Sequence, residues 1–531
     1  MNRPILLTLL SLTWLAMAGA CARLPVPLAQ TGIPPAATQA TRGIPASTPT
    51  PSPDPAFTAI PTVDPTLPTP TLQVTRSLLP ARTAEPAGDT AIKSQYTLAV
   101  SFDYLAHHLA VNETVHFTNA SGDTISSLVF DVEPDVYPGD ITFKSITLPG
   151  GATPGKVSLS VNRMSFPLAS PLSPGQGSSV SLVYDLALPA LPPPSHSIRS
   201  AVFGYTANQA NLVDWFPYLA LYQPGKGWII HDPWFNGEHQ VYPSADFDVT
   251  LALVNPPAGL VIAAPAAAQG EGGAWHYTLA HARTFAWSAS PLYKTLTQQV
   301  GDVQVTSYVF PLDQRAGQAA LEDTAAAMTL YASLFGPYQH TSLSVVEGDF
   351  ADGMEYDGLF FLSKTFYNLY DGTPRGYLTT IAVHETAHQW FFGQVGSDQA
   401  MEPWLDEALA TYCEAIFYER TYPGLASWWW SFRVNFYRPS GMINQPIYAF
   451  TGFEPYRNAI YLRGAEFLDA VRRQTGDAAF FGFLKDYVAR EQDRIATGQD
   501  FFDLLSAHTK VDLAPIKSLY FGALPPNGSW R

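Results

Sequence analysis

The most informative segment of this 531-residue chain is Val383-His384-Glu385-Thr386-Ala387-His388-Gln389-Trp390. Residues four apart in a helix lie one above the other on the same face, so the imidazoles of His384 and His388 can converge on one cation. Glu385 then points to the flank, beside the water that the cation would activate, where a general base belongs. The segment therefore predicts a zinc site and its base on a single helix.

A catalytic zinc ion usually takes three protein ligands and keeps a fourth position open. Glu407, nineteen residues after His388, is the candidate for the third ligand. Gly393 indicates the end of the first helix, and Pro403 suits the first turn of a second one. The spacing predicts two neighbouring helices on which His384, His388 and Glu407 face each other and hold one Zn²⁺ per chain.

The pattern around these residues resembles the gluzincin signature of the zinc aminopeptidases, the family of aminopeptidase N and leukotriene hydrolase. The resemblance is strongest over residues 340–475 and includes four motifs in the family's order. They are the His384 to His388 string, Trp404-Leu405-Asp406-Glu407-Ala408, Gly353-Met354-Glu355-Tyr356, and Tyr461-Leu462-Arg463-Gly464-Ala465 with Tyr456 before it. The resemblance implies a zinc enzyme that removes single residues from peptides with a free N-terminus.

The same resemblance implies roles for individual residues. Tyr461 would donate a hydrogen bond to the oxyanion of the tetrahedral intermediate. A contact of this type stabilises the transition state by roughly 3 kcal/mol. Glu355, within the motif of Gly353 and Met354, would hold the protonated α-amine of the substrate. The alternative interpretation is that Glu355 is an ordinary acidic residue in a loop. Tyr456 is a further candidate for substrate binding.

Two positions depart from the family pattern. Tyr356 stands where the family has asparagine, which leaves the choice between exopeptidase and endopeptidase open. Arg463 replaces the usual lysine and keeps the positive charge, although the two cations form hydrogen bonds differently. The sequence also stops short of the helical domain that covers the site in large family members, so we expect a cleft that is either more open or closed by a partner or a dimer mate.

The N-terminal ninety residues predict export. An apolar run follows Arg3 and ends in Ala18-Gly19-Ala20-Cys21, which is typical of a signal peptide over residues 1–21. The small residues before Cys21 suggest a lipobox, and ordinary signal cleavage beside an incidental cysteine is the alternative. Acylation of Cys21 would anchor the chain to a membrane on its extracytoplasmic side, at the cell surface. Residues 22–90 are rich in Pro and Thr and predict a disordered stalk.

Two folded parts are expected after the stalk. Residues 91–297 contain short alternating runs, such as Tyr96 to Phe102 and Phe247 to Leu253, and predict an all-β domain. Residues 298–531 change to helical spacing and predict a thermolysin-like α+β catalytic domain that is mainly helical. The predicted helices are 316–335, 378–392, 404–418 and 460–473, preceded by a strand at 303–309.

The amino-acid composition limits the kinds of partner that the chain is expected to bind. The formal net charge of −16 argues against nucleic acid, and the sequence does not predict an oligomeric state. Only Cys21 and Cys413 are present, so acylation of Cys21 would exclude an internal disulfide, and Cys413 is expected to be a buried apolar side chain. Peptides and a membrane remain as the predicted partners.

Two alternatives to an aminopeptidase remain open. An endopeptidase of the same fold would suit the short chain and the altered motif at Tyr356. A surface-binding module with a vestigial zinc site would suit the stalk, the β-domain and the tryptophan cluster Trp428-Trp429-Trp430, which also suits core packing.

Overall fold

The computed structural model describes residues 92–136, 139–192, 202–270 and 274–523. The predicted signal peptide, Cys21 and the predicted stalk lie outside the described residues. Among the residues that are described, no helix combines the length and the hydropathy needed to cross a membrane.

The first half of the described chain is built from strands. They are β1 (Ile92–Asp103), β2 (His108–Asn119), β3 (Ile125–Asp131), β4 (Ile141–Thr147), β5 (Ser158–Ser160), β6 (Arg163–Leu172), β7 (Gly177–Ala187), β8 (Gly204–Tyr205), β9 (Ala210–Leu212), β10 (Tyr218–Leu219), β11 (Leu221–Gln223), β12 (Gly227–Ile229), β13 (Ala245–Val254), β14 (Val261–Ala263), β15 (Ala274–Ala282) and β16 (Trp287–Ser290). Short 3₁₀ turns occur at Glu133–Val136 and Pro149–Gly151.

The largest sheet of this part has the order β15-β13-β1-β2-β7-β4. The two apolar faces expected from the sequence lie on β1 and β13, which pair in parallel with Leu98 opposite Val249 and Val100 opposite Leu251. These side chains are buried in one core, because alternate residues of a strand point to the same side of the sheet. The predicted β-domain is confirmed.

The second half combines a sheet with helices. Its strands are β17 (Lys294–Val300), β18 (Val303–Val309), β19 (Ser342–Gly348), β20 (Gly353–Tyr356), β21 (Leu359–Ser363), β22 (Gly396–Ser397) and β23 (Ile495–Ala496). Its helices are α1 (Gln314–Phe335), α2 (Lys364–Asn368), α3 (Tyr377–His388), α4 (Trp404–Thr421), α5 (Ala426–Trp429), α6 (Phe453–Arg457), α7 (Arg463–Thr475), α8 (Asp477–Glu491), α9 (Gly498–His508) and α10 (Ala514–Tyr520). Segments with π-helical geometry lie at Gln389–Gln394, Trp430–Val434 and Asn458–Leu462, and 3₁₀ turns at Pro423–Leu425, Asn435–Tyr437 and Ile447–Ala449.

The five-stranded sheet, with the order β17-β18-β19-β21-β20, separates two cores. Val345 and Phe360 face the core formed with the helices, whereas Val346 and Phe361 face the core of the β-domain. Both faces are covered, which explains why β21 is apolar at nearly every position. The boundary expected between residues 297 and 298 falls within β17, which pairs with β18 in this sheet.

The helices that carry the motifs lie where the sequence predicts them. Helix α3 begins at Tyr377 and continues into the π-helical segment Gln389–Gln394, and α4 begins directly after Pro403. A Cβ atom at Gly464 would overlap the Cβ of Ala408, so this glycine lets α7 approach α4 closely. The approach brings the segment before α7 to the metal-binding side of α4.

Arg283 joins the β-domain to the end of the π-helical segment. Its buried guanidinium donates hydrogen bonds to the backbone oxygens of Phe392, Gln394 and Tyr242 at 2.7, 3.1 and 2.8 Å. A cation is favourable at the carbonyl end of a helix. Arg283 therefore fixes the position of the helix that carries the two histidines relative to the β-domain.

Candidate metal centre and active site

The three predicted ligands meet at one point. The Nε2 atoms of His384 and His388 lie 3.0 Å apart, and Oε2 of Glu407 lies 3.3 Å from the first and 3.7 Å from the second. Zinc bonds of about 2.0–2.1 Å place the ligand atoms of a tetrahedral site roughly 3.3–3.4 Å apart. Glu407 Oε2 is buried and has no hydrogen-bond partner among the described residues. The residues present therefore fit a zinc ion.

The other ring nitrogen of each histidine is held by a carboxylate. Nδ1 of His384 donates to Glu414 at 2.9 Å, and Nδ1 of His388 donates to Asp406. A proton fixed on Nδ1 leaves the lone pair of Nε2 free for a metal and fixes the orientation of the ring. These carboxylates were not predicted from the sequence, although Glu414, an acidic residue two turns after Glu407 on the buried helix α4, was a usable signal.

Glu414 is itself held in place by Arg433 and Trp429. Arg433 donates to both of its oxygens at 2.9 and 3.0 Å, and Trp429 Nε1 donates at 3.0 Å. Burial alone would raise the pKa of Glu414, but the charge of Arg433 and the bond from His384 hold it below its ordinary value. Trp429 of the tryptophan cluster is thus a buried residue that supports a metal ligand.

Glu385 lies in the flanking position that the sequence predicts. Its side chain is buried, and its Oε2 has no hydrogen-bond partner among the described residues. A Cβ at Gly353 would overlap Oε1 of Glu385, so the backbone of β20 passes directly over the carboxylate and leaves room only for glycine. Gly353 therefore determines the position of the predicted base.

Strand β20 forms the outer strand of its sheet within the described part of the chain. Glu355 and Tyr356 are adjacent on β20, so their side chains point to opposite faces. The Tyr356 side chain is buried in the core of the β-domain against Phe361, and Met354 packs against that same core. The side chain of Tyr356, where the family has asparagine, therefore lies on the face of β20 opposite to Glu355.

Glu355 belongs to a second group of carboxylates beside the metal ligands. Oxygen atoms of Glu238, Glu355 and Glu407 lie within 4.8 Å of one another. Burial raises the pKa of Glu355, His388 lowers it, and Glu238 raises it further. Gln399 donates to Glu355 at 3.4 Å and to Asp406 at 2.7 Å. The arrangement concentrates negative charge beside the metal ligands.

Glu238 was not predicted from the sequence. It lies between β12 and β13 in the β-domain, far along the chain from the other site residues, and no regular pattern surrounds it. A Cβ at Gly237 would lie 2.6 Å from the hydroxyl of Tyr456. Tyr456 is fully buried under this loop, and its ring centroid lies 5.6 Å from that of Tyr461.

Tyr461 lies in the π-helical segment before α7, and such segments are frequent at functional sites. Its hydroxyl donates to Oε1 of Glu407, and its ring stacks on that of His384 with centroids 6.0 Å apart. Burial and the charge of Glu407 raise the pKa of Tyr461, so the hydroxyl keeps its proton. By contrast, Arg463 packs over the ring of Tyr520 and does not enter this group.

Cys413 is buried on α4, as expected, and burial raises the pKa of its thiol. This environment disfavours the thiolate, which is the reactive form of cysteine. Cys413 is therefore not a candidate nucleophile.

Part of the chain is similar in sequence to known proteins. Residues 319–520 match the model of the Peptidase family M1 domain. Endoplasmic reticulum aminopeptidase 2 of Homo sapiens is 28% identical over 220 residues, which cover 38% of this chain and 23% of that protein. Aminopeptidase N of Lactobacillus helveticus is 29% identical over 197 residues, which cover 33% of this chain and 22% of that protein. The match thus spans less than a quarter of the length of either relative.

The solved M1 zinc metallopeptidase of Deinococcus radiodurans shares the fold. It aligns with 83% of this chain and 96% of its own chain, with a TM-score of 0.58 and 19% identity. The order of a β-rich part followed by a largely helical part is therefore confirmed. Residues 319–520 are thus similar to the Peptidase family M1 domain, in agreement with the resemblance to the zinc aminopeptidases that the sequence motifs indicate.

Proposed function

We propose that the chain is a zinc-dependent aminopeptidase that releases N-terminal residues from peptides outside the cytoplasm. The observation that carries the proposal is the pair Glu238 and Glu355, which lies within 4.8 Å of the predicted ligand Glu407. A protonated α-amine bound to this pair would place the first peptide carbonyl at the metal ligands. Charge-assisted hydrogen bonds of this kind are strong and directional.

The catalytic roles follow from positions in the site. A bound zinc ion supplies the Lewis acid that polarises the peptide carbonyl and promotes the ionisation of water. Glu385 accepts the proton of the attacking water and transfers it to the departing amine. The hydroxyl of Tyr461, which keeps its proton, donates to the oxygen that gains negative charge.

The carboxylate pair favours exopeptidase over endopeptidase activity. An internal peptide bond would bring a neutral amide to Glu238 and Glu355, and two buried carboxylates would then lack a compensating cation. An N-terminal amine supplies that charge. Intact ligands, base and tyrosine also support an active enzyme over a binding module with a vestigial site.

The test compares one tripeptide with its N-acetylated form. We expect the free peptide to be cleaved stepwise from its N-terminus, and the acetylated form to have a kcat/KM lower by about a hundredfold, which corresponds to two strong charged contacts. Mass spectrometry of the products distinguishes stepwise from internal cleavage. Equal cleavage of both forms, or internal cuts, would refute the aminopeptidase assignment.

The Glu385→Gln variant serves as the reference for catalysis. It should bind zinc as the parent does and lose hydrolysis of aminoacyl-arylamides, because the amide cannot accept the proton of water. Undiminished turnover by this variant would show that another group is the base.

We also propose that acylated Cys21 anchors the enzyme to the outer side of a membrane. The support is the lipobox-like sequence before Cys21 and the Pro-rich and Thr-rich segment after it. A Cys21→Ser variant should leave the membrane fraction, and labelling with a fatty acid should be lost with it. Retention of the variant in the membrane fraction would contradict the anchor.

A further inference from the structure

Arg457 forms a cluster with two tyrosines near the start of the zinc-binding helix. Its guanidinium carbon lies 3.9 Å from the ring centroid of Tyr437. The hydroxyl of Tyr437 is hydrogen-bonded to that of Tyr377 at 2.8 Å. Asn458 accepts hydrogen bonds from Nε and one terminal nitrogen of Arg457 at 3.2 and 3.0 Å. The guanidinium is thus held in a fixed orientation by neutral groups.

Tyr377 of this cluster lies on the metal-binding face of α3. Tyr377 precedes His384 by seven residues, or nearly two helical turns, so the two side chains project from the same face about 10 Å apart along the axis. Burial raises the pKa of Tyr377 to about 12, while the charges of Arg433 and Arg457 oppose the shift. Arg433 belongs to the network that holds His384.

Arg457 has a charge that its protein surroundings leave uncompensated. Within the described part of the chain, no carboxylate forms an ion pair with Arg457, and the side chain is only partly buried. Arginine has five N–H donors, and Asn458 uses two of them. A planar guanidinium with free donors matches the geometry of a carboxylate.

The spacing of His384 and Tyr377 along α3 suits a short peptide. An extended chain advances about 3.3–3.6 Å per residue, so a terminal carboxylate two or three residues beyond the cleaved bond lies roughly 7–11 Å from it. The axial separation of about 10 Å between His384 and Tyr377 has this size, and Tyr377 is hydrogen-bonded to the Tyr437 ring over which Arg457 lies. The negative charges of Glu238 and Glu355 and the positive charge of Arg457 match the two charged ends of a zwitterionic peptide.

We propose that Arg457, oriented by Tyr437 and Asn458, binds the C-terminal carboxylate of tripeptides and tetrapeptides in the cleft. The proposal rests on the aminopeptidase function, because it needs the N-terminal amine at Glu355 to set the position of the peptide. It assigns specificity for short peptides with a free C-terminus to a residue of the catalytic domain itself.

The experiment measures binding of Leu-Gly-Gly and of its C-terminal amide by calorimetry. Zinc-loaded protein with Glu385→Gln is the parent, so that neither peptide is consumed. We expect the acid to bind about tenfold more tightly than the amide, the usual size of one charged hydrogen-bonded contact. Adding Arg457→Gln should reduce this ratio to about one, and Arg457→Lys should give an intermediate ratio. Both peptides are measured on the same preparation, so the ratio is independent of the folded fraction.

The matched control is Arg490→Gln, which removes the same charge from a side chain on α8 that is 65% exposed. It should leave the ratio unchanged. A ratio of one in the parent, or an unchanged ratio in Arg457→Gln, would overturn the proposal. A second comparison tests the aminopeptidase function independently, because it probes the N-terminal end of the substrate. Equal binding of the free and N-acetylated peptides would contradict that function.

Discussion

Glu385 shares its buried surroundings with Glu355 and Glu407, and burial together with these two charges raises the pKa of its carboxyl group. Carboxylates at such short separation repel each other strongly in a medium of low polarity. Two cations of the proposed reaction, a zinc ion and the substrate ammonium, would compensate this charge. The acidic residues are therefore better explained by ligand binding than by stability of the fold.

Gly353 should control the position of the base through its lack of a side chain. In Gly353→Ala the new methyl group must displace Glu385, since an added Cβ would overlap its Oε1. A displacement of about 1 Å at a catalytic group can lower kcat by about a hundredfold, so we expect a loss of this size with zinc content unchanged. Hydrolysis of an aminoacyl-arylamide and metal analysis measure the two quantities.

Gly424→Ala is the matched control, because a Cβ at this position would meet no atom within 4 Å. Its kcat should equal that of the parent. Full activity in Gly353→Ala would show that Glu385 does not depend on the backbone of β20 for its position.

Helix α4 carries most of the residues that organise the metal centre. One helix presents the ligand Glu407 together with Asp406 and Glu414, the carboxylates that orient the two histidines of α3. Both helices are almost entirely buried, which holds these contacts rigid. Metal affinity should therefore depend on residues of α4 that never touch the metal.

We expect Glu414→Gln to weaken zinc binding by about ten- to a hundredfold, the usual effect of removing a partner of a metal-binding histidine. The glutamine lacks the negative charge of Glu414 that both Arg433 and His384 bind. The guanidinium of Arg433 then stays buried without its counterion. Competition with a chelator measures the affinity. Glu419→Gln on the same helix, whose side chain is 42% exposed, should retain the parent's affinity. Equal affinities in all three proteins would contradict the role of Glu414.

Asp323 of α1 gives a pH-dependent prediction at the contact between α1 and α3. It accepts hydrogen bonds from Thr379 and Tyr422, and burial raises its pKa from 3.8 to about 6. The folded protein therefore binds a proton more readily than the unfolded chain, and this contribution to stability is lost as the pH rises from about 4 to 6. Asp323→Asn cannot titrate, so its stability relative to the parent should increase by about 2 kcal/mol between pH 4 and pH 7.

Denaturant unfolding at the two pH values measures this difference. Asp302→Asn, at an exposed position in the turn between β17 and β18, should show no such change. A constant difference between Asp323→Asn and the parent would mean that Asp323 titrates normally in the folded protein.

The local sequence pattern predicted the positions of α3 and α4, and the physical reasons are clear. The spacing of His384 and His388 fixes their common face, and Pro403 fixes the beginning of α4. The π-helical segments were not predicted, because the chain adopts this geometry under tertiary packing and not from local preference. Tyr461 lies in such a segment, and therefore only the resemblance to a family identified it.

Residues of both folded parts contribute to the candidate site. The β-domain contributes Glu238 to the group of carboxylates beside the metal ligands and Arg283 to the end of the zinc-binding helix. These contacts join residues more than a hundred positions apart, and no local spacing encodes them. Glu238 and Arg457 consequently emerge only from the folded structure, whereas the metal ligands can be read from the sequence.

The shared site predicts that a substitution in the β-domain alters the catalytic constants. In Glu238→Gln one of the two carboxylates proposed to hold the substrate amine loses its charge, so we expect KM for free peptides to rise about tenfold with a smaller change in kcat. The preference for free over N-acetylated peptides should fall by a similar factor. Asp248→Asn removes the same charge from the β-domain at a side chain that is 46% exposed, and it should leave KM unchanged. Equal KM values in parent and Glu238→Gln would show that the catalytic part alone recognises the amine and that the β-domain serves only to support it.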